Sequence, residues 1–135
     1  MADPAELDIQ KAVNTRMRAA AAVTSLIGTR FYDAVPARPT FPYARMTPPQ
    51  VVDDTNSAAR MEVVFFEISV FSRQRGRVEL ARIVDAIRAQ MRTQLTLTEH
   101  AVTYQNHIDT QYRDDPDGLT QMATMRFEIM TLPSS

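Results

Sequence analysis

The chain reads as an α+β fold: a two-layer sandwich in which two helices pack on one face of an antiparallel sheet of about four strands. Three observations predict it. Apolar residues recur at helical spacing in two segments, strand-like alternation fills the stretches between and after them, and a turn motif divides the last third into a hairpin. At 135 residues the chain fits one domain, 1–135, because cores rarely split below about 250 residues.

The first helix opens with Asp3 as its cap, Pro4 in the first helical position and Glu6 completing a capping box. Ile9, Val13, Met17 and Ala20 form its apolar stripe, the alanine run 19–22 favours close packing, and Gly28 is the stop. Prolines 36, 39, 42, 48 and 49 exclude a helix over residues 31–49 and leave a short strand over 41–46, placed at a sheet edge. Residues 48–59 read as a long polar loop, and loops of that length in compact domains are usually functional or mobile.

Residues 60–73 give the clearest strand. Val64, Phe66, Ile68 and Val70 alternate onto one face; Met61, Val63, Phe65 and Phe71 share the other with Glu67 and Ser69. A sheet covered on one side has no use for apolar groups on both, so the second face must meet either the chain's own 48–59 loop or another subunit. A second helix follows over 75–93, with Leu80, Ile83, Val84, Ile87 and Met91 as its stripe and Glu79–Arg82 and Asp85–Arg88 spaced for ion pairs. In the hairpin, Val102, Tyr104, Ile108 and Tyr112 are expected on one face. Asp115-Pro116-Asp117-Gly118 supplies the turn, and Ala123, Met125, Phe127 and Ile129 return inward. Residues 132–135 read as a loose tail.

Composition narrows the function. There are no cysteines, so disulfides, zinc knuckles and thiol nucleophiles are excluded. A net charge of -1 argues against binding nucleic acid by neutralising phosphates. The opening residues lack a basic segment followed by an apolar run, and no stretch approaches the ~18 apolar residues of a membrane span, so a protein that is soluble and intracellular when made, with no membrane contact, is expected. Lys11 is the only lysine; a GC-rich genome explains that, as does the fitness of arginine's planar fork for subunit ion pairs.

No catalytic constellation emerges, and no catalytic, metal or cofactor residue is assigned. His100 and His107 lack a second ligand at metal-site spacing and read as solvated surface residues. Asp53-Asp54 and Asp114-Asp115-Asp117 lie in loops, where aspartate is an ordinary turn former; the three glycines are too far apart for a phosphate loop.

Four motifs add something more specific. Gly28-x-Arg30-Phe31-Tyr32-x-x-Val35-Pro36, Phe41-Pro42-Tyr43, Phe71-Ser72-Arg73-x-Arg75-Gly76 and the turn 113–120, in this order, resemble the tail terminator (tail-completion) proteins of long-tailed phages and gene transfer agents. The resemblance implies a structural virion protein that forms a ring, usually of six copies, on the last tail-tube ring. Such a ring stops tube growth and offers a surface to the neck or head-completion proteins, while DNA passes through its lumen unbound. Candidate subunit-interface residues are then Met61, Val63, Phe65, Phe71, Ala19, Ala22, Arg73 and Arg75. Asp53, Asp54, Asn56, Asp115 and Asp117 are candidates for a tube- or neck-contacting or lumen-facing loop. A neck adaptor ring is a second reading, and a monomeric domain binding a small molecule or peptide on the second sheet face is a third, of a different class.

Overall fold

The computed structural model describes residues 3–53 and 60–133. Three helices, α1 (Ala5–Ala19), α2 (Ala21–Ile27) and α3 (Val78–Gln90), accompany six strands: β1 (Phe31–Tyr32), β2 (Tyr43–Met46), β3 (Gln50–Asp53), β4 (Glu62–Ser72), β5 (His100–Asp114) and β6 (Gln121–Pro133). The strand order is β1-β2-β4-β6-β5, with β3 also on β4. β1 and β2 run parallel and the remaining pairs antiparallel, so the sheet is mixed. The α+β class holds; the layer count of two helices on about four strands does not.

The core lies between the helices and one sheet face. Val64, Phe66, Ile68 and Val70 of β4 stand in register with Ile129, Phe127, Met125 and Ala123 of β6, all buried. The stripe Leu80, Ile83, Val84 and Ile87 of α3, with Met91 just past its end, packs on them, as do Ile9, Val13 and Met17 of α1. Phe66 and Phe127 stack at 5.4 Å between ring centroids. Truncating one such side chain leaves a cavity costing about 3–5 kcal/mol.

Five expectations are corrected. The first helix breaks at Ala20, whose ψ of 114° is extended. A straight helix would put Val23 about 120° around from Met17, and the break turns Val23 and Ile27 back into the core. Asp3 does not cap α1: Pro4 occupies the N-cap, and the Asp3 carboxylate pairs with Lys11 at 2.6 Å. β2 is not an edge, because β1 flanks it through Phe31–Ala44 and Tyr32–Arg45. Part of the supposed polar loop is β3, which pairs Gln50–Asp53 with Phe65–Glu62 and widens the sheet; residues 54–59 lie outside the described residues. Leu132 and Pro133 belong to β6, held opposite Ala101 and His100, rather than to a loose tail.

The hairpin faces also change. Register shifts between Val102 and Tyr104 and between His107 and Asp109 mark two bulges. Each reverses the alternation, so Tyr104, Asn106, Asp109, Gln111 and Arg113 align with Met130, Glu128, Arg126, Thr124 and Met122. Tyr104 and Tyr112 therefore do not share a face. In α3, Arg88 reaches Asp85 at 3.7 Å as expected, whereas Glu79 accepts from the buried Ser72 hydroxyl at 2.8 Å.

Two polar devices fix α1 to its neighbours, one to the end of α3 and one to the start of β5. Arg16 donates to the carbonyls of Gln90 (3.0 Å), Thr93 and Gln94 (3.1 Å), so a cation satisfies the C-terminal end of α3. Asp8, only 4% exposed, accepts from the Thr98 and Glu99 N–H groups at 3.1 and 2.9 Å and lies 2.9 Å from His100 Nδ1. His100 is thus enclosed against Asp8, and His107 packs on Phe127 and bonds Thr110; neither is a freely solvated surface residue.

Burial pushes the Asp8 carboxyl up, but the His100 hydrogen bond and the two N–H donors hold it below the ordinary 3.8. A carboxylate depressed in the folded state stabilises fully above its unfolded pKa, and that stability is lost as pH falls through the folded value. Asp8→Ala should lower the urea-unfolding free energy by about 2–3 kcal/mol. Asp8→Asn should flatten the decline in melting temperature that the wild type shows as pH falls below 3.8.

Candidate functional site

Glycine at 28 turns the chain out of α2 at a φ of +60°, which sends Arg30 back across the sheet end. Arg30 Nε donates to the Pro42 carbonyl at 2.8 Å and Arg18 to that of Phe31 at 3.0 Å. These contacts set Phe41 and Tyr43 beside the end of β4. Tyr43 stacks on Phe71 at 4.8 Å and meets Phe41 edge-on at 5.1 Å, with Tyr32 at 6.0 Å. Burial pushes the Tyr43 phenol up, partly offset by Arg45 and Arg73.

Arg73 closes this cluster. Its guanidinium lies 4.1 Å over the Phe41 ring, and its Nε donates to the Thr120 hydroxyl at 3.1 Å. Asp117 sits 3.8 Å away and builds the turn, accepting from the Leu119 and Thr120 N–H groups at 2.8 Å each. Those bonds, with the Thr120 hydroxyl, hold the Asp117 carboxyl below its usual range. Gly118, at a φ of +73°, donates to the Asp115 carbonyl. All four sequence motifs therefore meet at one end of the sheet, tying the hairpin tip to the β2–β4 corner.

From that corner runs the sheet face without helices. Its middle is polar: Ser69 bonds Thr124 at 3.2 Å, and Asp109 clamps Arg126 through two bonds of 2.8 and 2.6 Å. The Arg126 guanidinium holds the Asp109 carboxyl down. At the far end Val63 and Phe65 align with Met130 and Glu128, with Val52 and Gln50 on their other side. The segment 50–53 thus lies beside this face, not over it. On the helix side of the same end Glu62 stands opposite Asp53, and burial, then the Asp53 and Glu6 carboxylates, push it up.

The nominated residues fall on three surfaces. Met61, Val63 and Phe65 are half-buried at the far end of the open face, and Phe71, Arg73 and Arg75 stand at the corner, the two arginines exposed. Ala19 and Ala22 are exposed on the helix layer. Asp53 ends β3, Asp115 and Asp117 shape the turn, and Asp54 and Asn56 lie outside the described residues. Phe65 lines an open cleft of about 240 Å³ with Thr47, Gln50 and Arg126; Phe71 is about 20 Å further along the strand, so the two share no pocket.

Sequence reasoning missed the Asp8–His100 lock and Arg16, whose partners are distant in sequence. It also missed Leu119, which is 67% exposed at the hairpin tip; an apolar residue directly after a Pro-Asp-Gly turn was the available signal. Among the described residues no helix is long and apolar enough to cross a membrane, and no group of three His, Cys, Asp or Glu residues could hold a metal.

A model of the family described as tail completion protein gp17 matches residues 11–132, a span that contains all four motifs. The fold is similar to that of a chain in the virion of a native gene transfer agent particle, with a TM-score of 0.87 and 22% identity over 97% of this chain and 99% of that one. At that identity the likeness is one of fold. No curated protein matches the sequence.

Arg73→Ala removes both the stack on Phe41 and the hold on the turn. It should destabilise the fold by about 1 kcal/mol in urea titration. Arg73→Lys should recover less than half of that loss, since an ammonium cannot stack and bond at once.

Proposed function

Because the chain belongs to the tail completion protein gp17 family, we propose that it is a tail terminator, a virion protein whose copies close into a ring on the last ring of the tail tube. The observation that carries this reading is the open sheet face. Val63, Phe65 and Phe71 are large apolar groups on a surface that the chain's own helices leave bare. Such a surface is costly in a protein that remains alone in water.

A ring needs two different surfaces that fit each other, so that each contact leaves both free on the outermost copies until closure. The corner of Phe71, Arg73 and Arg75 is one, and the alanine surface of Ala19 and Ala22 is the other. Alanines let a neighbouring backbone approach closely, and arginines supply bidentate pairs at the rim. The far end, with Met61, Val63 and Phe65, is left for the tube protein.

Loop acids complete the picture. Asp53 at the end of β3, with Asp115 and Asp117 of the turn, faces the tube, the neck or the lumen, and negative charge there keeps passing DNA from sticking. The ring has six copies, sits at the head-proximal end of the tail, and presents its outer rim to neck or head-completion proteins. It needs no cofactor and performs no catalysis, and residues 1–135 act as one domain.

Added to growing tail tubes of its own particle, the protein should arrest elongation at about one ring per tube end, seen by electron microscopy as a length distribution frozen at the time of addition. Phe65→Asp should abolish arrest while leaving the melting temperature within a few degrees. Tubes that keep growing in saturating wild-type protein contradict a terminator, and binding to the isolated head vertex instead would assign the ring to the neck.

A further inference from the structure

The helix layer carries an open groove of about 520 Å³ between α1 and the segment that follows α3. Its floor is Ala12, Ala19, Ala20 and Leu95, and its rim carries Lys11 and Arg16. The acid of this groove, Asp8, is enclosed by His100 and two backbone donors, and its cations are Lys11, paired to Asp3 at the surface, and Arg16, whose guanidinium also holds the carbonyls at the end of α3. At the other end of β5 stands the hairpin tip, where Leu119 points out 67% exposed beside Asp114, Asp115 and Asp117. One surface is a small-residue hollow with cations at its edge. The other is an apolar knob with carboxylates at its base.

We infer that the hairpin tip of one copy, residues 114–119, seats Leu119 in the α1 groove of the next copy. This rests on the ring reading above and names the contact that closes it. Helix α3 lies between the two, its start beside Asp114 through Arg77 and its last residue, Gln90, on the groove; its thirteen residues span about 20 Å, and the tip is itself held to the sheet by Arg73, so no chain fills its own groove with its own tip. Each copy offers a knob at one end and a hollow at the other, and such a head-to-tail contact repeats until the turn closes. Existing partners do not block it. Lys11 is paired to Asp3 but 63% exposed, and Arg77 reaches Asp114 only at 3.7 Å, so both surface pairs exchange readily for contacts across the junction. The tip itself is rigid, since Asp117 and Gly118 fix the turn and Arg73 holds it to the sheet, so seating it orders little that was loose.

The absence of native cysteines makes the test direct. The full-length Leu119→Cys/Ala19→Cys double variant, assembled on tail-tube ends and oxidised, should give a ladder of 15.3 kDa multiples ending in one closed band on a non-reducing gel. Each single variant should stay monomeric. Leu119→Asp, with an unchanged melting temperature, should raise the concentration needed to cap tubes by about tenfold or more. Rings visible by microscopy with no ladder, or disulfide dimers from Leu119→Cys alone, would overturn the contact and leave the ring intact. Absence of rings altogether would remove both.

Discussion

Among the described residues, three helices against one face of a six-stranded sheet bury a continuous apolar layer, and no helix covers the opposite face. Side chains on a strand alternate, so whatever β4 sends inward fixes what it must send outward. Val64, Phe66, Ile68 and Val70 go in; Val63, Phe65, Glu67 and Phe71 go out. Were the outward set polar, the molecule would be complete alone. Two ends of that face are instead apolar, separated by the Ser69–Thr124 and Asp109–Arg126 pairs.

Arginine does much of the joining. Arg16, Arg18 and Arg30 each donate to backbone carbonyls that secondary structure leaves free, and Arg73 combines a ring stack with a hydroxyl bond. A guanidinium presents several donors in one plane, so one side chain can hold two or three carbonyls, as Arg16 does at the end of α3. The near absence of lysine therefore has a structural counterpart inside one chain, whatever the genome contributes.

Strong periodicity made the core legible. The inward faces of β4 and β6 and the stripe of α3 follow from apolar spacing alone, and the turn at 115–118 from its proline and glycine. What stayed hidden depends on partners far away in sequence. β3 is four residues whose strand state exists because β4 pairs with it, and its flanking prolines and aspartates read locally as loop. Ala20 has the best helix propensity available yet interrupts the helix, because Val23 and Ile27 reach the core only if the axis turns. The bulges in β5 are invisible in a pattern of half-polar residues, and Asp8 meets His100 across 92 positions. The family resemblance was legible because its motifs, scattered along the chain, converge on the corner built by Tyr43, Phe71 and Arg73.

The account's central claim is that the Phe71–Arg73 corner is covered by a further copy of the same chain. Electron cryomicroscopy of tube ends decorated with the purified protein tests it most directly. The account predicts a closed ring of identical subunits in which the Phe71–Arg73 corner of each copy is buried against its neighbour. Single copies bound apart from one another, with that corner open to solvent, would contradict it.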